Sequence, residues 1–247
     1  MSAKVVAVYS LKGGVGKTTL AVNLAWAAAT LSARRTLLWD LDAQAAASYI
    51  LGHDGGGRRA RAVLLREISP ATLIEHTGTD RLDLLPADAS LRSLDIDFRD
   101  LDKKKRLAKL TEEVGRDYDR LLIDCPPGLT DTSDQILRAA DLVVVPVIPS
   151  PLAQRAFDTV AAHIAGPRST RVPLLPVFSM VDRRRALHRE ALAAQPDWPV
   201  IPMASALEAT TQHRAPVGAL VGRTNATVQA INAVWREVER GLAKLPA

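Results

Sequence analysis

One short glycine-rich segment holds the residues best suited to chemistry, and it reads Lys12-Gly13-Gly14-Val15-Gly16-Lys17-Thr18-Thr19. Glycines let the backbone turn so that successive N–H groups point at phosphate oxygens, whose charge an ammonium group neutralises. The spacing predicts that Lys17 reaches the β- and γ-phosphates of a nucleotide, Thr18 ligates Mg²⁺ and Thr19 contacts the α-phosphate. Leu11 stands where the ordinary phosphate loop begins with glycine, and Lys12 is an additional lysine at the front of the loop.

Acidic residues follow two predicted strands. Asp40 and Asp42 come after the strand Thr36–Trp39, and Asp124 comes after the strand Arg120–Ile123. Ligands of open α/β sheets bind outside the carboxyl ends of the strands, and residues at i and i+2 point the same way. We therefore expect these carboxylates near the phosphate loop, with Asp124 holding Mg²⁺ through water.

Short apolar segments alternate with longer helical ones, and this alternation predicts the elements that position the loop. The predicted strands are Lys4–Tyr9, Thr36–Trp39, Arg81–Leu85, Arg120–Ile123, Leu142–Val147 and Leu174–Phe178. The predicted helices are Thr18–Leu31, Asp100–Gly115, Asp131–Ala139, Ala153–Ala165, Arg184–Ala194 and Asn225–Leu242. The fold class predicted is α/β, a doubly wound, mostly parallel sheet flanked by helices, in a single domain of residues 1–247.

Composition excludes several classes of protein. The 247 residues are 47% hydrophobic and 24% charged, which excludes a disordered or fibrous chain. A single cysteine, Cys125, excludes an intrachain disulfide and a cysteine-rich zinc site. The longest apolar run, Leu142 to Pro149, is too short to span a membrane, and the N-terminus does not resemble a signal peptide. We therefore expect a cytoplasmic protein. The net charge of +5 permits a polyanionic partner.

The loop and the acidic segments together resemble the ParA/MinD superfamily of partitioning and positioning ATPases. The segment from Lys12 to Thr19 is similar to the deviant phosphate loop of that family, whose first lysine reaches the ATP of the other subunit in a nucleotide-sandwich dimer. The segment Asp40-Leu41-Asp42-Ala43-Gln44 resembles the first switch, with alanine in place of the usual proline. The segment Asp124-Cys125-Pro126-Pro127 resembles the second switch.

This resemblance implies an ATPase with ATP and Mg²⁺ as cofactors and slow basal turnover. Lys12 would act in trans and Lys17 in cis, while Asp42 would position or polarise the attacking water. Thr18 would ligate the magnesium ion, Asp124 would hold it through water, and Asp40 would support its ligand shell. The segments around Met180 and Pro202 resemble those that contact the adenine ring, although Met203 replaces the family's arginine.

The resemblance also implies partners. Family members bind DNA without sequence preference as ATP dimers, and the candidate contacts here are Arg183, Arg184, Arg189, Arg223, Arg236 and Arg240. Only Met1 to Ala3 precede the first predicted strand, so we do not expect operator-specific reading. The expected partners are a second copy of the chain, nonspecific DNA and a ParB-like or cargo-adaptor activator, with a nucleoid-associated location. The cargo would be a plasmid, a chromosome or a protein assembly.

Three alternatives compete with the partitioning ATPase. A MinD-like positioning ATPase would use the apolar stripe of the C-terminal helix on a membrane, whereas we expect this stripe to pack on the sheet. An ATP-dependent metabolic enzyme related to cobyrinate diamide synthase is disfavoured, because 247 residues leave no room for a glutaminase domain. An inactive, nucleotide-binding scaffold is disfavoured by the presence of Asp42 and Asp124.

Overall fold

A computed structural model describes residues 2–55, 57, 59–100, 105–166 and 172–245. Its strands are β1 (Lys4–Val8), β2 (Thr36–Asp40), β3 (Glu75–His76), β4 (Leu82–Leu85), β5 (Arg120–Asp124), β6 (Leu142–Val147), β7 (Leu174–Val181) and β8 (Val200–Pro202). They form one eight-stranded sheet in the order β3-β4-β2-β5-β1-β6-β7-β8. Within the described residues, only the β3–β4 pairing is antiparallel, so the predicted mostly parallel sheet is confirmed.

Helices cover both faces of the sheet. They are α1 (Lys17–Leu31), α2 (Ala46–Ile50), α3 (Ala60–Leu65), α4 (Leu94–Asp100), α5 (Arg106–Val114), α6 (Asp131–Ala139), α7 (Pro151–Ala165), α8 (Ala186–Ala194), α9 (Ser205–His213), α10 (Val217–Val221) and α11 (Ala226–Ala243). Short 3-10 helices lie at Pro70–Thr72 and Ala89–Ser93. The prediction of one continuous helix over Asp100–Gly115 is wrong at Lys105, which precedes α5 with a non-helical φ of −122°. Residues 101–104 of that predicted helix lie outside the described residues.

The central strands are apolar along their length because both of their faces are covered. In β1, Val5 and Ala7 belong to the core beneath α5, α6 and α7, while Val6 and Val8 belong to the core beneath α1 and α11. All four side chains are buried. This alternation fixes which way each strand faces, and therefore where the residues just beyond its carboxyl end emerge.

The C-terminal helix α11 packs on the sheet with its apolar stripe, as expected. All members of the stripe are buried, namely Val228, Ile231, Val234, Trp235, Val238 and Leu242. The Trp235 indole N–H donates to the Ser32 hydroxyl at 2.8 Å, and Arg120 forms a bidentate pair with Glu239 at 2.8 and 2.7 Å. No helix among the described residues is both long and apolar enough to cross a membrane.

Gly218 allows α10 to lie directly against the helix that follows the phosphate loop. A Cβ atom at this position would stand 2.1 Å from Cη2 of Trp26, a residue of α1. We expect Gly218→Ala to lower the free energy of unfolding by about 2 kcal/mol, because the helices must separate or Trp26 must leave its rotamer. Chemical denaturation measures the change.

A second glycine provides the control. A Cβ atom at Gly241 in α11 would lie 3.4 Å from Leu142, which is ordinary contact, and alanine favours a helix interior by about 1 kcal/mol. Gly241→Ala should therefore leave the stability unchanged or raise it slightly. A Gly218→Ala protein as stable as the parent would contradict the close approach of the two helices.

Candidate functional site

The glycine-rich segment forms a loop between β1 and α1. Gly14 and Gly16 have φ of +72° and +88°, a left-handed conformation that glycine adopts without strain. No side chain caps the N-terminus of α1, so its first N–H groups face the loop without a side-chain partner. A helix N-terminus with free N–H groups attracts anions. The backbone therefore forms a phosphate-binding cradle at the expected position.

Two lysines flank the cradle. Lys17 is buried, and its amine donates to the backbone carbonyl of Lys12 across the loop at 3.0 Å. The Lys12 side chain is half-buried, and no carboxylate of the described residues pairs with it. Both amines lie at the loop without a counter-charge bonded to them, which suits a site that receives an anion.

Asp40 and Asp42 lie at the carboxyl end of β2 and differ in environment. Asp40 is fully buried, and its carboxylate accepts from the Asp42 backbone N–H at 3.1 Å and from the Ser48 N–H and hydroxyl at 2.9 and 2.8 Å. Burial raises the pKa of Asp40 to about 6, although these hydrogen bonds oppose the rise. Asp42 is half-buried and accepts from the Gln44 N–H at 2.9 Å. Asp40 thus anchors the loop that presents Asp42, and its magnesium role stays a prediction.

Ala45 closes this loop in an unusual conformation. Its φ of +52° is left-handed, a region that costs a residue with a Cβ atom about 1 kcal/mol or more. The alanines after Gln44 stand where glycine is common in the first switch of the family that this sequence resembles. The loop therefore holds strain that a glycine would relieve, and it lacks the stiffness that a proline at Ala43 would add.

Asp124 ends β5 and is fully buried, and within the described residues neither carboxylate oxygen has a partner at good hydrogen-bond geometry, although the Thr18 hydroxyl lies close by. In the sheet it pairs with Val8 of β1 and with Asp40 of β2. Burial raises its pKa well above the usual range, and the charge of Asp40 raises it further, whereas nearby Thr18 and Lys17 lower it. An unpartnered buried carboxylate beside a threonine hydroxyl and the phosphate cradle fits a hydrated Mg²⁺, whose preferred ligands are oxygens.

A cavity of about 370 Å³ adjoins the loop, a size typical of small-ligand sites. Gly16 and Thr19 form its phosphate-loop side, and both predicted base contacts, Met180 and Pro202, line it. Met180 has a φ of +54°, and its Cε atom lies 3.5 Å from where a Cβ of Gly16 would stand. The other lining residues are Leu20, Ser179, Ile201, Met203, Ala204, Leu207, Glu208, Thr211 and Ile231. The mostly apolar lining suits a flat ring joined to phosphates held by the loop.

Comparison with known proteins identifies the family. Residues 3–170 match the family model described as an AAA domain. The chromosome partitioning protein ParA of Caulobacter vibrioides is 34% identical over 196 residues, which are 76% of this chain and 73% of ParA. The chain belongs to the ParA/MinD superfamily. The sporulation initiation inhibitor protein Soj of Bacillus subtilis is 35% identical over 147 residues, so the match spans only 58% of the length of Soj.

The solved structures of similar fold include a positioning ATPase and a protein named as a metabolic enzyme. The cobyrinic acid a,c-diamide synthase of Mycobacterium smegmatis, with bound ATP analog and magnesium, has a TM-score of 0.81 and 26% identity, covering 98% of this chain and 96% of that chain. The cell division ATPase MinD of Pyrococcus furiosus has a TM-score of 0.77 and 24% identity, covering 96% and 99%. A chain of nearly this length therefore carries the diamide synthase name, so length alone does not exclude that class of enzyme.

The six candidate arginines of this ParA/MinD chain do not form one cluster in the structure. Arg183, Arg184 and Arg189 follow the carboxyl end of β7, on the nucleotide side. The end of α11 lies at the other edge, since Gly241 adjoins Leu142 at the start of β6. Arg223 precedes α11, whereas Arg236 lies near the middle of this 18-residue helix and Arg240 near its end, about 15 and 21 Å along the axis from Ala226.

These arginines also differ in how free their charges are. Arg184 forms a bidentate pair with Asp182 at 2.9 Å, Arg240 pairs with Glu237, and Arg189 donates to the carbonyls of residues 183 and 184. Within the described ranges, the remaining three, Arg183, Arg223 and Arg236, make no ion pair. The free positive charge is therefore smaller than the count of arginines suggests.

Replacing the buried acid of this ParA/MinD site should stabilise the empty protein and impair its ligand response. Asp124→Asn removes a fully buried ionisable group whose charged form is disfavoured by burial and by the neighbouring Asp40, so we expect a gain of about 2 kcal/mol. Thermal unfolding of the ligand-free protein should shift upward by about 4–8 °C. The further shift that Mg²⁺ and ATP give the parent should disappear in the variant.

Asp80→Asn is the matched control, since the Asp80 side chain is 94% exposed. It should change neither the unfolding midpoint nor the response to Mg²⁺ and ATP. An Asp124→Asn protein that keeps the full magnesium-dependent shift would remove Asp124 from the metal site.

Proposed function

We propose that this protein is an ATP-dependent dimerising switch that binds DNA nonspecifically and partitions or positions a cargo. A single ATPase domain of residues 1–247 would carry the activity. One observation supports this above the others: Lys12 leads the phosphate cradle with an amine that no described carboxylate neutralises. A lysine already present in cis, Lys17, leaves this second cation free to serve a nucleotide on a facing subunit.

We propose a task for each charged or hydroxyl-bearing residue of the site. Lys17 would exchange the Lys12 carbonyl for phosphate oxygens, and Thr18 with Asp124 would hold a hydrated Mg²⁺. When bound, Mg²⁺ supplies neutralising charge between the phosphates. Asp42, presented by the Asp40-anchored loop, would orient the attacking water. Lys12 would stabilise the charge that develops on the transferred phosphoryl group of the other subunit.

We propose that DNA binds the surfaces that carry the candidate arginines, after β7 and along α11. Arg183 after β7, Arg223 before α11 and Arg236 near the middle of α11 form no ion pair among the described residues, so they are the side chains most able to neutralise phosphates. Each phosphate contact adds about 0.9 to the slope of log K against log salt. A dimer doubles the number of contacts, so nucleotide state would control DNA affinity.

The proposed setting follows from the same relatives. ParA of Caulobacter vibrioides is named as a chromosome partitioning protein, and we propose a comparable role for this chain in the cytoplasm on the nucleoid. A ParB-like protein or a cargo adaptor would stimulate hydrolysis, which would otherwise be slow. The buried stripe of α11 leaves no apolar face on that helix for a MinD-like membrane contact.

A metabolic role is the second candidate, because of the likeness to the named diamide synthase. Amide formation from glutamine needs a nucleophilic thiol to release ammonia. Cys125 is completely buried, and burial raises the pKa of its thiol well above the usual range. This chain therefore offers no thiolate for glutamine hydrolysis, although ammonia supplied by another protein would bypass that need.

Analytical ultracentrifugation and a DNA-binding assay together test the proposal. With Mg²⁺ and a slowly hydrolysed ATP analogue the protein should sediment as a dimer and bind unrelated DNA duplexes equally, whereas with ADP it should remain monomeric and bind weakly. Binding should fall steeply as salt rises. A protein that stays monomeric with both nucleotides and does not bind DNA would contradict the proposed switch. ATP consumption that depends on a carboxylic acid and ammonia would support the metabolic candidate.

A further inference from the structure

Tyr9 is a fully buried tyrosine between β1 and the phosphate loop. Its backbone N–H donates to the carbonyl of Val144 at 3.0 Å, which extends the pairing with β6 by one residue. The ring belongs to the core beneath α5, α6 and α7, opposite to the face occupied by Val8. A tyrosine hydroxyl this deep needs a hydrogen-bond partner.

The partner of the hydroxyl is the segment that follows Asp124. The Tyr9 hydroxyl donates to the Gly128 carbonyl at 2.8 Å, across 119 residues of sequence. Gly128 has a φ of +96°, so the chain turns sharply here before Leu129, which is exposed. Burial raises the pKa of Tyr9 to about 12, so the hydroxyl remains a donor at neutral pH.

This bond is the only fixed point that the described residues provide in the middle of the segment. The Cys125 N–H donates to the Val8 carbonyl at 3.4 Å, and a Thr130–Ser133 capping box fixes the far end at α6. Between these ends, Pro126 and Pro127 have no N–H, and no other hydrogen bond in the described part of the chain reaches residues 126–129.

We propose that Tyr9 is a positioning residue, whose hydroxyl fixes the segment 125–130 against the phosphate loop so that both respond together to nucleotide. The loop begins shortly after Tyr9, and α6 begins one residue after Thr130. A change in the loop thus reaches α6 through one side chain. The effect on hydrolysis rests on the proposed function, whereas the effect on the ligand-free segment does not.

Tyr9→Phe tests this role because it removes only the hydroxyl. Tyr118→Phe is the matched control, since Tyr118 is also buried and its hydroxyl donates to Asp83 at 2.8 Å, a contact with no part of the loop. Hydrogen exchange of the ligand-free proteins should be about tenfold faster at the Thr130 amide, which donates to the Ser133 hydroxyl at 2.8 Å, in Tyr9→Phe alone. Amides of α11, measured in the same sample, report global opening and should exchange at the parent rate.

Steady-state hydrolysis gives the second readout. Tyr9→Phe should lower kcat about tenfold at unchanged KM, because nucleotide still binds the loop while fewer molecules hold the segment in place. Tyr118→Phe should keep both constants. Parent-like exchange at the Thr130 amide in Tyr9→Phe overturns the positioning role. If exchange there is faster in Tyr9→Phe but the parent protein does not hydrolyse ATP, the contact is supported and the proposed function fails instead.

Discussion

Lys12→Ala is expected to abolish ATP-dependent dimerisation and to lower the rate of ATP hydrolysis about 10²–10³-fold. The substitution removes an amine that no described carboxylate neutralises, so the folded monomer loses no ion pair. The backbone carbonyl that accepts the Lys17 amine is retained. ADP affinity should therefore stay within about threefold of the parent value, because the cis phosphate contacts survive. Sedimentation with a slowly hydrolysed ATP analogue and a phosphate-release assay measure the two effects.

Lys109→Ala is the control for the loss of one positive charge. Lys109 is exposed on α5, away from the loop, and its removal should change neither dimerisation nor turnover. A Lys12→Ala protein that dimerises and hydrolyses ATP like the parent would exclude action in trans. Loss of ADP binding together with ATP binding would instead place Lys12 among the cis phosphate contacts.

The central sheet and the phosphate loop could be predicted because their signals are local. Apolar runs such as Leu142–Val147 and the glycines of the loop each determine structure within a few residues. The short elements could not be predicted in this way. β3 has two residues and β8 has three, too few for any periodicity, and they form because a neighbouring strand supplies their hydrogen bonds.

Contacts between distant segments account for the remaining misses. Helical structure before residue 100 depends on Asp95, which accepts from the Thr132 N–H at 3.0 Å, and on the bidentate pair of Arg61 with Asp97 at 2.7 and 2.6 Å. The cavity residues Glu208 and Thr211 were missed because α9 was not predicted. Nothing local indicates that this helix folds back beside the phosphate loop.

The arginines show the opposite error, in which closeness in sequence suggests closeness in space. Arg223, Arg236 and Arg240 form one C-terminal group in the sequence, yet Arg223 precedes α11, Arg236 lies near its middle and Arg240 near its end. Ion pairs also reduce the available charge, as between Arg240 and Glu237. A basic cluster in a sequence therefore predicts a basic surface only after helix direction and pairing are known.

Asp42→Asn is expected to lower the ATP hydrolysis rate about 10²–10³-fold while ATP affinity changes less than about threefold. The amide oxygen of the substituted side chain can still accept from the Gln44 N–H, as the Asp42 carboxylate does at 2.9 Å, so the turn is preserved. Only the negative charge that we propose orients the attacking water is lost. The ATP-bound dimer should persist, because hydrolysis is the step that ends it. Single-turnover hydrolysis and the dimer lifetime measure these effects.

Asp42→Ala separates the charge of this side chain from its structural role. Alanine removes the side-chain bond to the Gln44 N–H as well as the charge, while the backbone bond from the Ala45 N–H to the Asp42 carbonyl at 2.8 Å remains. If the carboxylate orients water, the asparagine and alanine variants should lose hydrolysis to the same extent. If Asp42→Asn hydrolyses ATP at the parent rate and only Asp42→Ala fails, the turn is what matters. The water must then be oriented by another group at the carboxyl edge of the sheet.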